Sequence, residues 1–169
     1  MVEITEVSSL TEKQVTELAD ILIRIVLSGA SIGWMDTPEP MMARAYWLAA
    51  IRPDNVLVIA TDDGHVVGSA QLELAQRENG LHRAEVGKVL VHPEHQGRGV
   101  GRQLMDAVEQ AARGRGRTLL HLDTDQTDIS NAFYQRCGWT QAGTIPNWAR
   151  SNRDGTLHGT TFYFKLLID

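Results

Sequence analysis

The chain has 169 residues, 43% apolar and 22% charged, enough for one domain with a hydrophobic core. Its net charge of −5 argues against general nucleic-acid or anionic-membrane binding, so any anion site must be local. The one cysteine, Cys137, excludes an intrachain disulfide. Met1–Glu6 lacks the pattern of a signal peptide and no apolar run approaches the ~20 residues of a membrane span, so a cytoplasmic protein is expected.

Val2, Ile4 and Val7 alternate with polar residues and predict a short first strand. Ser9 or Thr11 caps a helix over 11–27, in which Val15, Leu18, Ala19, Leu22, Ile23 and Val26 recur at helical spacing. Ser28–Trp34 breaks it. Two glycines among small residues beside Trp34 suit a loop that admits a ligand to Ser31, Gly33 and Trp34, or a helix cap with a packed tryptophan. Asp36–Glu39 predicts the start of a second helix, carried to about Ile51 by Met42, Ala45, Tyr46, Leu48 and Ala49.

Val56–Ala60 is a buried strand, Asp62–His65 a hairpin turn, and Val66–Leu74 the return strand. Asn79-Gly80 marks another turn before a strand over Leu81–Val91. The next helix shows Leu104, Val108, Ala111 and Ala112 on one face, ends near Gly114 in a left-handed cap, and carries Arg113, Arg115 and Arg117 as solvated cations. Thr118–Leu122 is a short strand and Asp123–Asp128 a polar turn. Ile129, Ala132, Phe133 and Cys137 form the core face of a fourth helix. Strands near Trp139–Gly143 and Thr160–Leu167 close the chain, with a polar loop over Pro146–Thr156. The order β-α-α-β-β-β-α-β-α-β-β predicts a single α/β (α+β) domain over 1–169 with a mixed sheet.

Between the third sheet strand and its helix lies Gln96-Gly97-Arg98-Gly99-Val100-Gly101-Arg102. Glycines let an anion approach the backbone, the first helical turn offers unpaired N–H groups, and Arg98 and Arg102 add charge. This is a phosphate or pyrophosphate cradle. A Walker loop is absent. A dinucleotide fingerprint fails because Arg102 stands where a third small residue belongs and hairpin-linked strands precede the loop.

Gln96-x-x-Gly99-x-Gly101 between a strand and a helix resembles the acyl-CoA loop of the GNAT acetyltransferases. Val89–Pro93, Leu104-Met105, the Tyr134-x-x-x-Gly138-Trp139 signature and the element order are similar to that family too. The resemblance implies the GNAT fold, a mixed, mostly antiparallel sheet of about seven strands flanked by four helices. It implies acetyl-CoA as co-substrate, no metal, and an N-acetyltransferase activity. Segments including Gly29–Met35, Arg83–Val86 and Leu119–Thr124 are similar to the tabtoxin-resistance branch of the family. That narrower likeness implies a small amino-acid-like amine, such as a β-lactam toxin or antibiotic. A peptide or protein amine, or a catalytically silent acyl-CoA-binding module, is the alternative.

By this resemblance Leu90, Val91, Gln96, Gly97, Arg98, Gly99, Val100, Gly101, Arg102, Asn131 and Tyr134 would hold the cofactor, with a strand N–H at Val91 or a neighbour polarising the thioester carbonyl. Glu85, in an otherwise apolar strand, reads as a general base acting through water, or as the ion-pair partner of Arg83, Lys88 or a neighbouring strand. Asp123 suits an ammonium-binding or base role, or a turn cap. Tyr134 would donate a hydrogen bond to the departing thiolate, full transfer from a phenol to a thiolate being uphill by roughly 2 kcal/mol; the alternative is a core tyrosine. Trp148, with Trp34, would line the amine pocket. The partner expected is a small-molecule amine, with monomer and homodimer both open.

Overall fold

A computed structural model describes residues 1–167. Along the chain run β1 (Glu3–Val7), α1 (Glu12–Leu27), α2 (Pro40–Ala50), β2 (Asn55–Asp62), β3 (His65–Leu74), β4 (Arg83–Val91), α3 (Val100–Gly114), β5 (Leu119–Asp125), α4 (Ser130–Arg136), β6 (Thr140–Arg150) and β7 (Leu157–Leu166). The strands make one seven-stranded sheet in the order β1-β2-β3-β4-β5-β7-β6, antiparallel throughout except for the β4–β5 pair. The mixed, mostly antiparallel sheet and its four helices are those expected.

Period-two burial divides the sheet into two faces. Leu72, Ala84, Val86, Leu120, Leu122 and Tyr163 pack with Leu104, Met105 and Val108 of α3 and with Tyr134 and Cys137 of α4. On the other face Leu57, Ile59 and Leu90 pack with Leu18 and Leu22 of α1 and Trp47 of α2. Helix α1 starts as its sequence dictates. The Thr11 hydroxyl accepts from the Gln14 N–H while the Gln14 side chain accepts from the Thr11 N–H, closing a capping box.

Several boundaries differ from the sequence expectation. Helix α2 begins at Pro40, with Glu39 as an N-cap lacking a side-chain cap bond, so Asp36–Glu39 is approach rather than helix. The left-handed residue after α3 is Gly116 (φ +68°), not Gly114. Strand β5 continues to Asp125, which places Asp123 within the strand. On α4, Ile129 and Ala132 are exposed, and the buried side chains are Tyr134 and, just beyond, Cys137. The segment Pro146–Arg150, expected as loop, belongs to β6, which carries a positive-φ residue at Asn147 and a two-residue slip against β7 between Ile145 and Ala149.

Two irregularities position the site. Strands β4 and β5 pair only at Arg83–Leu119, Ala84–Leu120 and Glu85–His121, and then part. Strand β4 also carries one more residue than β3 between the pairs Gln71–Gly87 and Ser69–Leu90. This bulge centres on Lys88 at φ +48°, and the Ser69 hydroxyl donates to the Lys88 carbonyl at 3.1 Å. Before the bulge Ala84 and Val86 face α3; after it Leu90 faces α1 and α2.

Strand β3 approaches β4 closely at Gly68, where a Cβ would lie 2.8 Å from the Leu90 carbonyl oxygen and 3.1 Å from Leu104 Cδ1. We expect Gly68→Ala to lower stability by about 1–3 kcal/mol through overpacking. Gly114→Ala, at a helical position with open space around its Cβ, should be neutral or stabilising by up to about 1 kcal/mol. Urea titrations of the two variants check the contrast.

Candidate active site

The glycine loop lies where the sequence places it, between β4 and α3. Gly97 (φ +73°) and Gly99 (φ +83°) take left-handed conformations that an L side chain resists, and Gly99 is the N-cap of α3. The first intrahelical bond runs from the Gln103 N–H to the Gly99 carbonyl. The amides of Val100, Gly101 and Arg102 precede it in the first turn and have no i−4 partner in the helix, so they point N–H groups out of the helix N-terminus. A Cβ at Gly97 or Gly99 would meet nothing within 4 Å, so both leave their outer surface open. Gly101 serves packing instead: its Cβ would sit 3.3 Å from Phe133 Cζ.

Three of the side chains expected at the cofactor are engaged within the protein. The Gln96 amide donates to the Val91 carbonyl at 3.1 Å, which braces the loop against β4. Arg102 donates from Nη1 to the Arg136 carbonyl at the C-terminal end of α4 and from Nε to Asp106 Oδ1. It thus offers the cradle its backbone N–H rather than its guanidinium. Asn131 donates both amide protons to the Asp125 and Asp128 carbonyls at 2.9 and 2.7 Å and accepts from the Tyr163 hydroxyl at 2.9 Å. Its side chain closes the β5–α4 turn and keeps no donor for a ligand. Arg98 is exposed and remains the side-chain cation of the loop.

Leu90 and Val91 flank the open edge of β4. The His92 N–H bonds the Val67 carbonyl on β3, so alternation turns the Val91 N–H and carbonyl away from β3, toward the gap left by β5. Beyond the parting point Asp123 continues along β5, paired only with Phe162 of β7. Glu85, His121 and Asp123 share the sheet face opposite α3 and α4, outside the area covered by α1 and α2.

The site's electrostatics follow from this placement. Partial desolvation raises the Glu85 carboxyl above its ordinary value; His121 opposes the rise, Asp123 and Glu73 add to it, and Lys88 opposes it. Asp123 is raised by the same cause, opposed by Lys88 and His121. Among the described residues neither carboxylate forms an ion pair, so the Arg83 or Lys88 pairing considered for Glu85 is absent.

Tyr134 lies in the aromatic cluster of Phe133, Trp139 and Tyr163, with only 9% of its surface exposed. Burial pushes its phenol far above the usual range, and the charges of Asp128, Cys137 and Asp123 push further. No protein group hydrogen-bonds its hydroxyl among the described residues. It keeps its proton and has a donor to offer.

Two aromatic walls flank the acceptor face. Trp34 packs edge-on to Tyr46 of α2 at 6.3 Å, and Lys88 Nζ lies 5.7 Å from the Tyr46 ring centroid. Opposite, Trp148 of β6 packs edge-on to Phe162 at 5.3 Å. The loop bearing Ser31 and Gly33 is tied across to the β6–β7 turn, where Asn152 and Arg153 donate to the carbonyls of Ala30 and Gly29. Phe162, His121 and Lys88 were not assigned to the site from the sequence. Period-two alternation from Asp123 would have found His121. Lys88 depends on the bulge, which has no signature in the residue string.

The acetyltransferase (GNAT) family model matches residues 19–139. The chain is 30% identical, over 75% of its length and 77% of the relative's, to an uncharacterised N-acetyltransferase encoded in the hisH–hisA intergenic region of Azospirillum brasilense. It is 27% identical to the L-amino acid N-acyltransferase MnaT of Escherichia coli, over 76% of each chain. A Salmonella typhimurium protein solved with its cofactor acetyl-CoA superposes with a TM-score of 0.81 at 22% identity, over 100% of this chain and 95% of that one.

We expect Gly99→Asp to raise the Kd for coenzyme A at least about 100-fold, by setting a carboxylate against the pyrophosphate and leaving the helix-end amides masked. The fold should survive, because a Cβ there meets only open space and the strain is about 1–2 kcal/mol. Isothermal titration and a melting curve on the same sample check both halves.

Proposed function

The chain belongs to the GNAT acetyltransferase family, and on that premise we propose that it moves acetyl from acetyl-CoA to the primary amine of a small amino-acid-like molecule. The observation that carries this reading is that β4 and β5 part just past Glu85, with Asp123 next along β5 and near enough for its charge to act on both Glu85 and Tyr134. The amides of Val100, Gly101 and Arg102, with Gly97, Gly99 and Arg98, would hold the pyrophosphate, and the open edge of β4 at Leu90 and Val91 the pantetheine arm. Bound acetyl-CoA supplies the activated thioester.

Glu85 takes a proton from the incoming ammonium through water. Its raised carboxyl is a better base near neutrality than an ordinary glutamate. Asp123 holds the ammonium or shares the base role, and its charge adds to the rise at Glu85. The Val91 N–H is the donor for the acetyl carbonyl. Tyr134 donates a hydrogen bond to the leaving sulfur, and its elevated phenol makes full proton transfer still less favourable.

The amino-acid-like acceptor is supported by similarity to an enzyme named for L-amino acids and by the mixed charges and aromatic walls of the acceptor face. A toxin or antibiotic amine is the narrower member of this class, supported by the segments shared with the tabtoxin-resistance branch. We place the reaction in the cytoplasm, the compartment that suits a lone buried thiol at Cys137.

Thiol release with acetyl-CoA and a panel of amino acids and β-lactam amines tests the reading. For the wild type, kcat/KM should rise with pH along a limb above ~4.5, the ordinary glutamate value, because the base works only when deprotonated and its pKa is raised. Glu85→Gln should remove that limb and lower kcat about 10²–10⁴-fold while coenzyme A binding survives. An unchanged pH profile in Glu85→Gln would remove Glu85 from the base role.

Tyr134→Phe should lower kcat about 10–100-fold with little change in the KM for acetyl-CoA, because the lost bond forms as the thiolate leaves. Steady-state kinetics in acetyl-CoA separate the two parameters.

A further inference from the structure

The acceptor face contains a half-buried cation, Lys88, that the acetyl-transfer chemistry does not use. The β4 bulge turns Lys88 onto the face shared by Glu85 and Asp123, at a positive φ held by the bond from Ser69 to its own carbonyl. Its ammonium lies over the Tyr46 ring at 5.7 Å, and Tyr46 is itself positioned by Gln71, whose amide donates to the phenol oxygen at 3.0 Å.

Arg83, on the same face, is exposed and lies against Gly80, and two further cations nearby have partners. Arg52 pairs with Glu73 and Asp54 at 2.9 Å, and Arg153 with Asp128 at 3.6 Å. Lys88 has no ion pair among the described residues, although it feels the charges of Asp123, Glu85 and Glu73. Of these three, Glu73 is neutralised by Arg52. The half-buried cation therefore faces two free carboxylates across a gap too wide for direct pairing. Gly87 lies between Glu85 and Lys88 in sequence, and a Cβ there would meet only open space. A ligand that fits this gap carries an ammonium toward Glu85 and Asp123 and a carboxylate toward Lys88.

We propose that Lys88 is the acceptor-carboxylate subsite, so that the substrate is a zwitterionic amino acid whose free carboxylate lies next to the acetylated amine. This rests on the acetyltransferase reading and narrows it. A desolvated lysine left without a protein counter-ion is costly, and a ligand carboxylate supplies that counter-ion in a charge-assisted hydrogen bond. The subsite selects against amines that lack the carboxylate, because binding them leaves the ammonium unpaired.

The test compares L-leucine, L-methionine and L-phenylalanine with the amines produced by decarboxylating each, in thiol release with acetyl-CoA, for wild type, Lys88→Met and Lys88→Arg. In the wild type each amino acid should surpass its amine in kcat/KM. Lys88→Met should raise KM for the amino acids about 10–100-fold, the loss of one charged hydrogen bond, with kcat nearly unchanged and no loss toward the amines. Lys88→Arg should recover part of the preference.

Equal losses toward amino acid and amine in Lys88→Met, or a wild type that favours the amines, would overturn the subsite while leaving acetyl transfer standing. A shifted pH profile with the preference intact would likewise overturn it, by making Lys88 a regulator of the carboxylates. Thiol release from none of the six compounds by the wild type would overturn the amino-acid reading of the site and this subsite with it.

Discussion

Strands β4 and β5 run parallel through three residue pairs, ending at Glu85 and His121, and then separate. Everything at the site follows from that separation. A strand that loses its neighbour exposes a row of backbone donors and acceptors, which must find partners in water, side chains or a ligand. Here the exposed edge ends at Val91, one loop away from the first-turn amides of α3. Backbone groups on the strand and on the helix end thus face the same gap. The close approach at Gly68 and the packing of Gly101 on Phe133 hold α3 near the strand that precedes it. Cradle and edge are consequences of one packing arrangement.

The same separation governs the electrostatics. Glu85 lies at the last shared pair and Asp123 just past it; both keep exposed surface, and partial desolvation shifts both toward the neutral form. Tyr134 looks toward that region from the opposite layer, fully protonated. The proposed roles, Glu85 as base and Tyr134 as donor to the leaving sulfur, call for a raised carboxyl and a phenol that keeps its proton. The bulge at Lys88 then places one cation against two carboxylates, giving the acceptor face a polarity along its length rather than a uniform negative charge.

Much of this was legible in the residue string, for identifiable reasons. The turn between β4 and α3 could be read because Gly97 and Gly99 take dihedrals that other residues resist, and Tyr134 stood out by its fixed spacing from Gly138. The strand carrying Glu85 announced a cost by placing a carboxylate among apolar residues. Side-chain commitments were not legible. Gln96, Arg102 and Asn131 have the chemistry to hold a cofactor, but each is already used to brace a loop, a helix end or a turn. Strand β6 was hidden by Pro146 and Asn147, which signal a loop; an edge strand tolerates both because its outer side bonds nothing. Ile129 and Ala132 fit an apolar face by periodicity alone, yet α4 turns Tyr134 and Cys137 inward because the larger ring fills the space beside Tyr163.

In the proposed complex the cofactor lies along the open edge of β4 with its phosphates on the end of α3. Amide hydrogen exchange measured with and without coenzyme A addresses it directly. Protection should rise at Val91 and across Gly97–Arg102, on two segments joined only by the loop between them, and should stay unchanged in β1 and β6. Protection centred instead on the separate cavity between Glu17, His65 and His92, with none at Gly97–Arg102, would rule this binding mode out.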